Sequence, residues 1–478
     1  MRFSVYLAVL ILSAVCSTRT YAQDMLESIF DCSEEDCLLA SDTPFLSSLK
    51  NQSLGDDWTY SIGGALRYPY LDKRNRLRPP LRAGRSSYDQ YRFTPFVQMK
   101  YKDLATVHIE AIDAPTFGND LPQVIIDENR SDLLQAYIDL NLMEIGDGEL
   151  HFKYGRQFLK YGSQHLISPL AWANTYRNFE GYKLYYTSNT WDIDGFAVQP
   201  VNGATGNTFR PTSFDTPDQS RWFSGVYASY KQAPGGVLDL YWLWVRDDDD
   251  RLVLVDGNRH TIGSRYAGKK AFTDESGDSI WVMNWDVEGG YQFGTSNFVT
   301  GLDQDVQAGY LSAQVGPTLS TLPWTPTITG IFWYGSGDND PTDGTLTTND
   351  TLFPLGHAYW GQIDNLNGQN LLDYGVHVTV KPTKKLSFLT GFHWFDKAAA
   401  NDAIYNIAGV PFGGVTTTDR HIGSELDLVA TYQVNKNLQL QAGYFWFWYG
   451  DAVTQNPNAL VRNRGDADQV YFYADWSF

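Results

Sequence analysis

The sequence predicts an all-β protein: a transmembrane antiparallel up-and-down β-barrel of about 18 strands, with short periplasmic turns and long external loops. Three observations support this class. Segments of about ten residues alternate apolar and polar side chains, the connections between them alternate in length, and the C-terminal segment has one wholly apolar face. A closed barrel accommodates such segments because it leaves no strand edge unpaired.

The C-terminal segment, residues 467–478, carries the clearest alternation. Its apolar set is Val470, Phe472, Ala474, Trp476 and Phe478. In a soluble protein such a strand would invite edge pairing, whereas a barrel strand places that face in lipid. A closing strand that ends in Phe resembles the assembly signal of bacterial outer-membrane barrels, so we expect the barrel assembly machinery and outer-membrane lipid as partners. An edge strand of a soluble sandwich is the alternative for this segment alone.

The N-terminus predicts export. Arg2 precedes an apolar run at residues 5–15, and Thr20-Tyr21-Ala22 places small residues where a signal peptidase cleaves. We expect a signal peptide at residues 1–22, which would also carry Cys16 away.

An N-terminal periplasmic segment is expected at residues 23–57, before the outer-membrane barrel at residues 58–478. Cys32 and Cys37 suit a small disulfide loop in an exported protein, and without a nearby His they make a weak metal site.

The composition excludes several classes. Aromatic residues make up 15% of the chain, yet the mean hydropathy is only −0.34. After the predicted signal no apolar run reaches about 18 residues, which excludes a helical membrane protein. The net charge of −19 argues against a nucleic-acid partner. Acidic residues concentrate in predicted loops, so this charge does not fix the sign of a pore.

Alternation begins at Trp58 and continues to the end of the chain. We predict strands that start near residues 58, 90, 105, 131, 149, 177, 190, 219, 237, 258, 279, 305, 325, 370, 385, 420, 437 and 467. Short links such as 189–190 and 435–436 alternate with long ones such as 159–174 and 336–369. The connections predicted at 267–278 and 294–304 fit this alternation less well. A soluble sandwich has no reason to maintain the asymmetry, and no propeller repeat is present.

If the apolar set faces lipid, the other set lines the lumen. The cationic candidates include Arg67, Arg92, Lys153, Arg177, Lys183, Arg221, Arg259 and Arg265, and the acidic and imidazole candidates include Glu110, Asp139, Asp286, Glu288, Asp373, His377, His393, Glu425 and Asp427. Guanidinium groups could pair with the carboxylates of an anionic polymer. The alternative is that these charges form salt bridges that brace the wall. Arg156 is ambiguous, because counting from Tyr154 places it on the lipid face while its position at a strand end could turn it inward.

Several motifs carry a resemblance. They include SDLLQAYIDL at 131–140, KYGRQ at 153–157, WANTYRNFEGYKL at 172–184, WDVEGGYQFG at 285–294 and KPTKKL at 381–386. Over about residues 55–478 the chain resembles the alginate export family of outer-membrane porins. The resemblance implies an 18-stranded barrel whose Arg-lined lumen passes an anionic exopolysaccharide, with loops covering the pore. It makes Arg156 and Arg177 the leading residues for substrate contact or pore bracing. The inward acids on the later strands differ from the family's strongly positive lumen.

Evidence for other chemistry is weak. The loop at 335–344 contains Asp338, Asp340 and Asp343, which could hold calcium but lack the EF-hand spacing, so a solvated external loop is the favoured interpretation. No Gly-x-Ser-x-Gly or His-Glu-x-x-His motif occurs, and we expect neither enzymatic activity nor a cofactor.

The predicted function is an outer-membrane porin that passes an anionic polysaccharide or oligosaccharide, with periplasmic export partners. The alternatives are a general or solute-specific uptake porin, and a secreted β-rich carbohydrate-binding protein or polysaccharide lyase.

Overall fold

The computed structural model describes residues 49–77, 84–121, 124–203, 214–248, 256–297, 303–412, 418–456 and 465–478. The predicted signal peptide and the Cys32–Cys37 loop lie outside these residues. Of the predicted periplasmic segment, the described part begins at residue 49, and its short strand Gln52–Leu54 pairs with the start of the first barrel strand. No helix in the described ranges has the length and apolar character needed to cross a bilayer.

Eighteen strands of the described chain form one closed antiparallel barrel. They are β1 (Trp58–Arg74), β2 (Arg92–Tyr101), β3 (Ala105–Ala114), β4 (Asn129–Ile145), β5 (Gly148–Gln157), β6 (Phe179–Thr187), β7 (Trp191–Asn202), β8 (Arg221–Ala233), β9 (Gly236–Asp248), β10 (Asp256–Thr273), β11 (Ser279–Ser296), β12 (Gln304–Thr318), β13 (Thr327–Gly335), β14 (Leu371–Thr383), β15 (Leu386–Lys397), β16 (His421–Gln433), β17 (Leu438–Tyr449) and β18 (Ala467–Ser477). The predicted fold class and strand number are confirmed.

The barrel closes between β1 and β18. Ten consecutive residue pairs, from Ala65–Ser477 to Arg74–Asp468, join the two strands. Beyond them, the N–H of Gly64 donates to the carbonyl oxygen of Phe478 at 3.0 Å, and the N–H of Phe478 donates back at 2.9 Å. The terminal strand therefore has partners on both sides, as its apolar face requires.

The connections differ in length at the two ends. At one end they are short, as at residues 146–147 and 384–385, and at the other they reach residues 158–178 and 336–370. The predicted connection at 267–278 is wrong, because β10 continues to Thr273 and leaves only residues 274–278 as a turn. The predicted connection at 294–304 begins two to three residues too early, because β11 continues to Ser296. Both strands have 18 residues, so their hairpin is longer than a bilayer crossing requires.

The long loops 158–178 and 336–370 fold into the barrel, and we call them together the plug. Ile167 and Phe353 form a parallel bridge between the two loops. The N–H of Ser168 donates to the Phe353 carbonyl oxygen, and the N–H of Phe353 donates to that of Leu166, both at 2.9 Å. Plug residues such as Trp360 belong to the same buried cluster as wall residues of several strands. The hydrophobic core of this molecule therefore lies inside the barrel.

Polar contacts attach the plug to separate parts of the wall. Nδ1 of His165 lies 2.7 Å from Glu288 on β11, and its Nε2 lies 3.1 Å from Ser312 on β12. Four strands further along the wall, Oε1 of Glu425 on β16 accepts the Ile363 N–H at 2.7 Å. The plug is therefore fixed to the wall at more than one place.

Candidate functional site

Most of the cationic lumen candidates are paired with carboxylates. The pairs are Arg67–Asp475, Lys153–Asp139 at 3.1 Å, Lys183–Asp194 at 2.5 Å, Arg221–Asp247 at 2.5 Å, and Arg265 with Asp286 at 2.8 Å and Asp239 at 2.9 Å. Glu110 accepts a hydrogen bond from Gln135 at 2.7 Å. These charges brace the wall, as the salt-bridge interpretation of the sequence describes.

Arg67 and Arg92 also hold the plug. Nη1 of Arg92 donates to the backbone oxygens of Ala171 and Ala173 at 2.8 and 2.6 Å. Nη1 of Arg67 donates to those of Ala171 and Trp172 at 3.2 and 2.7 Å. A guanidinium fork satisfies several carbonyls that would otherwise be buried without partners. These two arginines therefore fix the position of the loop at 158–178.

Arg156 is buried, with an exposed fraction of 5%, and does not lie on the outer surface as the alternation count suggested. It contacts Glu180 at 3.2 Å and Asp132 at 3.6 Å, and Nη2 donates to the Asp215 backbone oxygen at 2.6 Å. The preceding Gly155 has φ of 124°, a conformation that favours glycine and interrupts the regular alternation.

Two cavities adjoin at the long-loop end of the barrel, with volumes of about 250 and 210 Å³. The first is lined by Arg221 and Arg259, the second by Arg177 and Arg221, and both include Phe353 of the plug. We call Arg177, Arg221 and Arg259 the arginine cluster. The cluster brings together side chains from β8, from β10 and from the loop before β6.

Arg177 differs from the paired cations. Its Nη1 donates to the backbone oxygens of Ser168 and Pro354 at 3.3 and 3.1 Å, and its guanidinium lies 5.7 Å from the Phe353 ring centre. No ion pair with a described carboxylate offsets its charge. Burial lowers the pKa of Arg177 to about 10, which leaves it charged at neutral pH.

The charge of Arg259 is also only weakly compensated by nearby carboxylates. Its Nη1 donates to Gln292 at 2.8 Å and to the Thr348 backbone oxygen at 3.3 Å, while Asp350 is 4.0 Å away. Arg221, in contrast, makes a two-pronged contact with Asp247, the residue directly opposite on β9. The cluster thus combines two weakly compensated guanidinium groups with one that is neutralised.

The three aspartates considered for calcium accept hydrogen bonds from backbone N–H groups of their own loop. Oδ1 of Asp338 accepts the Asp340 N–H at 3.0 Å, Oδ1 of Asp340 accepts the Thr342 N–H at 3.1 Å, and Oδ1 of Asp343 accepts the Thr345 N–H at 2.8 Å. Burial raises the pKa of Asp338. These contacts, each from an Asp side chain to the N–H two residues further on, are those of successive Asx turns.

Comparison of the sequence with protein-family models shows which family the chain belongs to. The model described as alginate export matches residues 59–466. The chain belongs to the alginate export family. It is an outer-membrane porin, and the resemblance seen in the sequence is confirmed. A comparison with curated proteins finds no match.

Several solved structures of Pseudomonas aeruginosa proteins have the same fold as this porin at low sequence identity. OprD is 11% identical with a TM-score of 0.55, over 88% of this chain and 95% of OprD. OccK9 (OpdG) is 13% identical with a TM-score of 0.55, over 88% and 98%. OpdK with vanillate is 10% identical with a TM-score of 0.55, over 89% and 99%.

Sequence reasoning missed the plug's contribution to this site. Phe353, Thr348 and Asp350 line the cavity beside Arg259, and all three lie in a loop interpreted as external. A signal was present, since residues 352–366 contain Leu, Phe, Trp and Ile at a density unusual for a solvated loop.

Proposed function

We propose that this porin passes an anionic polysaccharide of the alginate type, and that the arginine cluster contacts its carboxylates at the external end of the barrel. The observation that carries the proposal is the cationic charge of Arg177, which no described carboxylate neutralises. Long loops of outer-membrane barrels are external, which orients the cavities. A uronate polymer presents one carboxylate per ring, and a guanidinium binds a carboxylate in two-pronged geometry.

Passage of a polymer requires the plug to move. Trp360 and its neighbours occupy the lumen together with side chains of the wall. Conduction needs contacts of moderate strength more than one deep site, and the two weakly compensated guanidinium groups of the arginine cluster supply such contacts. We therefore propose a passive channel without catalytic activity, gated by the plug.

A second candidate is uptake of a small carboxylate. Cavities of about 250 and 210 Å³ suit a small molecule better than a polymer segment. The similar barrel of OpdK has been solved with vanillate. In this case the cluster would act as a binding site on an entry path, and the plug would stay in place.

Single-channel recording in planar bilayers tests the proposal. We expect oligouronates to interrupt the current for times that increase with oligomer length, and neutral dextrins of matched length to have little effect. Arg177→Gln removes a charged donor worth about 1.5–3 kcal/mol, so dwell times should fall about tenfold or more.

Arg246→Gln is the matched control, because this residue of β9 is 53% exposed and paired with Asp248. Equal dwell times for the wild type and Arg177→Gln would contradict the role of the cluster. Permeation of small carboxylates, without any block by oligouronates, would instead support the uptake porin.

A further inference from the structure

Three neighbouring strands bring two histidines and an aspartate together inside the barrel. His377 is on β14, His393 on β15 and Asp427 on β16. Gly391 of β15 is directly opposite both His377 and Asp427. A Cβ at Gly391 would lie 2.9 Å from the His377 ring and 3.3 Å from the Asp427 Cβ. The glycine therefore leaves the space into which the side chains on either side converge.

The donor atoms of these residues point to a common centre. Nε2 of His377 lies 2.9 Å from Nε2 of His393, and Oδ2 of Asp427 lies 3.9 Å from the latter. All three donor atoms lie within 4.8 Å of one another. Donors 2.0–2.1 Å from a tetrahedral ion are about 3.4 Å apart, so small side-chain shifts would accommodate one.

A carboxylate orients one of the imidazoles. Nδ1 of His393 lies 2.9 Å from Oδ2 and 3.0 Å from Oδ1 of Asp373 on β14. With its proton on Nδ1, His393 presents the lone pair of Nε2 to the cluster. Histidines that bind metals are held in this way by a carboxylate on the distal nitrogen.

The acids at this position need a positive partner. Asp427 is fully buried beside Glu425, and neither oxygen of Asp427 accepts a hydrogen bond of ordinary length and angle from the described residues. No described Lys or Arg makes an ion pair with Asp373, Glu425 or Asp427. Two adjacent buried carboxylates are costly unless a proton or a cation lies between them.

We propose that His377, His393 and Asp427 bind a divalent cation of the zinc class. Two imidazole nitrogens and a carboxylate oxygen are a donor set that Zn²⁺ accepts, whereas Ca²⁺ and Mg²⁺ prefer oxygen alone. Glu425 stands beside Asp427 as a further oxygen donor, because its Oε2 accepts no hydrogen bond of ordinary geometry from the described residues.

The bound ion would also secure the plug. Oε1 of Glu425 accepts the N–H of Ile363, and a Cβ on Gly361 would lie 2.2 Å from Oε2 of Glu425. The ion would join β14, β15 and β16 below the point where the plug contacts this wall. Removal of the ion should weaken these contacts without separating β1 from β18.

Metal content and cobalt absorption of the full-length barrel test the site. The protein is refolded in detergent with Zn²⁺ or Co²⁺ and desalted, and heat-modifiable gel migration confirms folding. We expect the wild type to retain one Zn²⁺ per chain and to give the visible bands of low-symmetry Co²⁺. Folded His377→Gln, His393→Gln and Asp427→Asn variants should lose both signals, and Asp373→Asn should weaken binding about 10–100-fold.

His421→Gln is the matched control. This histidine of β16 is not a member of the cluster, and its Nδ1 lies 3.0 Å from Oδ1 of Asp396. It should bind as the wild type does. Equal metal content in wild type and the folded His377→Gln/His393→Gln double variant would overturn the proposal, and would indicate that a proton balances the two acids.

Discussion

Arg265 stands between two carboxylates of the barrel wall, Asp239 on β9 and Asp286 on β11. Its Nε also lies 2.5 Å from the hydroxyl of Ser163 in the plug, whose own hydroxyl donates to Asp286 at 2.5 Å. A cation that serves two buried acids and a loop is primarily structural. This explains how a chain with many inward arginines can have so few that are open to a substrate.

Replacement of Arg265 by Met should lower the free energy of unfolding by about 3–5 kcal/mol, because two buried carboxylates lose their shared partner. Urea titration of the refolded barrel in vesicles measures this change. The exposed Arg246→Met on β9 should change it by no more than about 0.5 kcal/mol. A similar small effect for Arg265→Met would mean that water or protons compensate these acids.

The limits of sequence reasoning at this scale are clear at Arg156. Counting alternate residues assumes that each one is extended, and Gly155 is not. A Cβ at Gly155 would lie 2.2 Å from the backbone oxygen of Ala136, so the close approach of β4 is possible only with glycine. The glycine before Arg156 was the available signal, but only coordinates give the direction in which the strand turns.

At the scale of elements, alternation located the strands well. The predicted starts near Ser279 and Ala467 coincide with β11 and β18, because each strand has one face toward lipid and one toward the interior. The method failed where a strand continued beyond the bilayer, as β10 does to Thr273. Past the membrane, both faces meet water and the apolar pattern no longer marks the strand.

The plug could not be predicted by the same reasoning. Its packing depends on contacts between segments far apart in the chain, such as Ile167 with Phe353. A period-two pattern identifies a strand in a sheet, but irregular backbone has no period. The apolar residues of 352–366 indicate burial, although they do not indicate where the loop is buried.

Replacement of residues 350–366 by a short Gly-Ser linker should raise single-channel conductance several-fold, because this part of the plug occupies the lumen. Planar bilayer recording measures the effect. As a control, a Gly-Ser replacement in the short-loop turn at 319–326 should leave conductance near the wild-type value. If the shortened plug conducts as the wild type does, the remaining loop at 158–178 must set the narrowest point.

For the whole molecule, the outer surface defines the membrane position. Large apolar side chains are exposed around the barrel, among them Ile109, Trp242, Leu311 and Trp394. In water such a surface would cause aggregation, whereas in a bilayer it matches the lipid. The apolar belt therefore faces lipid, while the hydrophobic core inside the barrel is buried as in a soluble protein.

Leu311→Arg, at the middle of β12, should cost about 2–4 kcal/mol of stability in vesicles, because it places a charge at the bilayer midplane. Leu322→Arg is the matched control, since Leu322 is similarly exposed but lies in the turn at 319–326. The control should cost about 0–1 kcal/mol. Equal costs at both positions would place the membrane boundary elsewhere on the barrel.

The seam between β1 and β18 has a kinetic consequence. Arg67 and its partner Asp475 are 408 residues apart in sequence, whereas most other wall contacts join strands that follow one another. Loop closure over such a distance is slow, so hairpins should form long before the seam does. During that interval β1 and β18 are open edges able to pair with other chains. The rate at which these two strands meet should therefore decide the balance between correct insertion and aggregation.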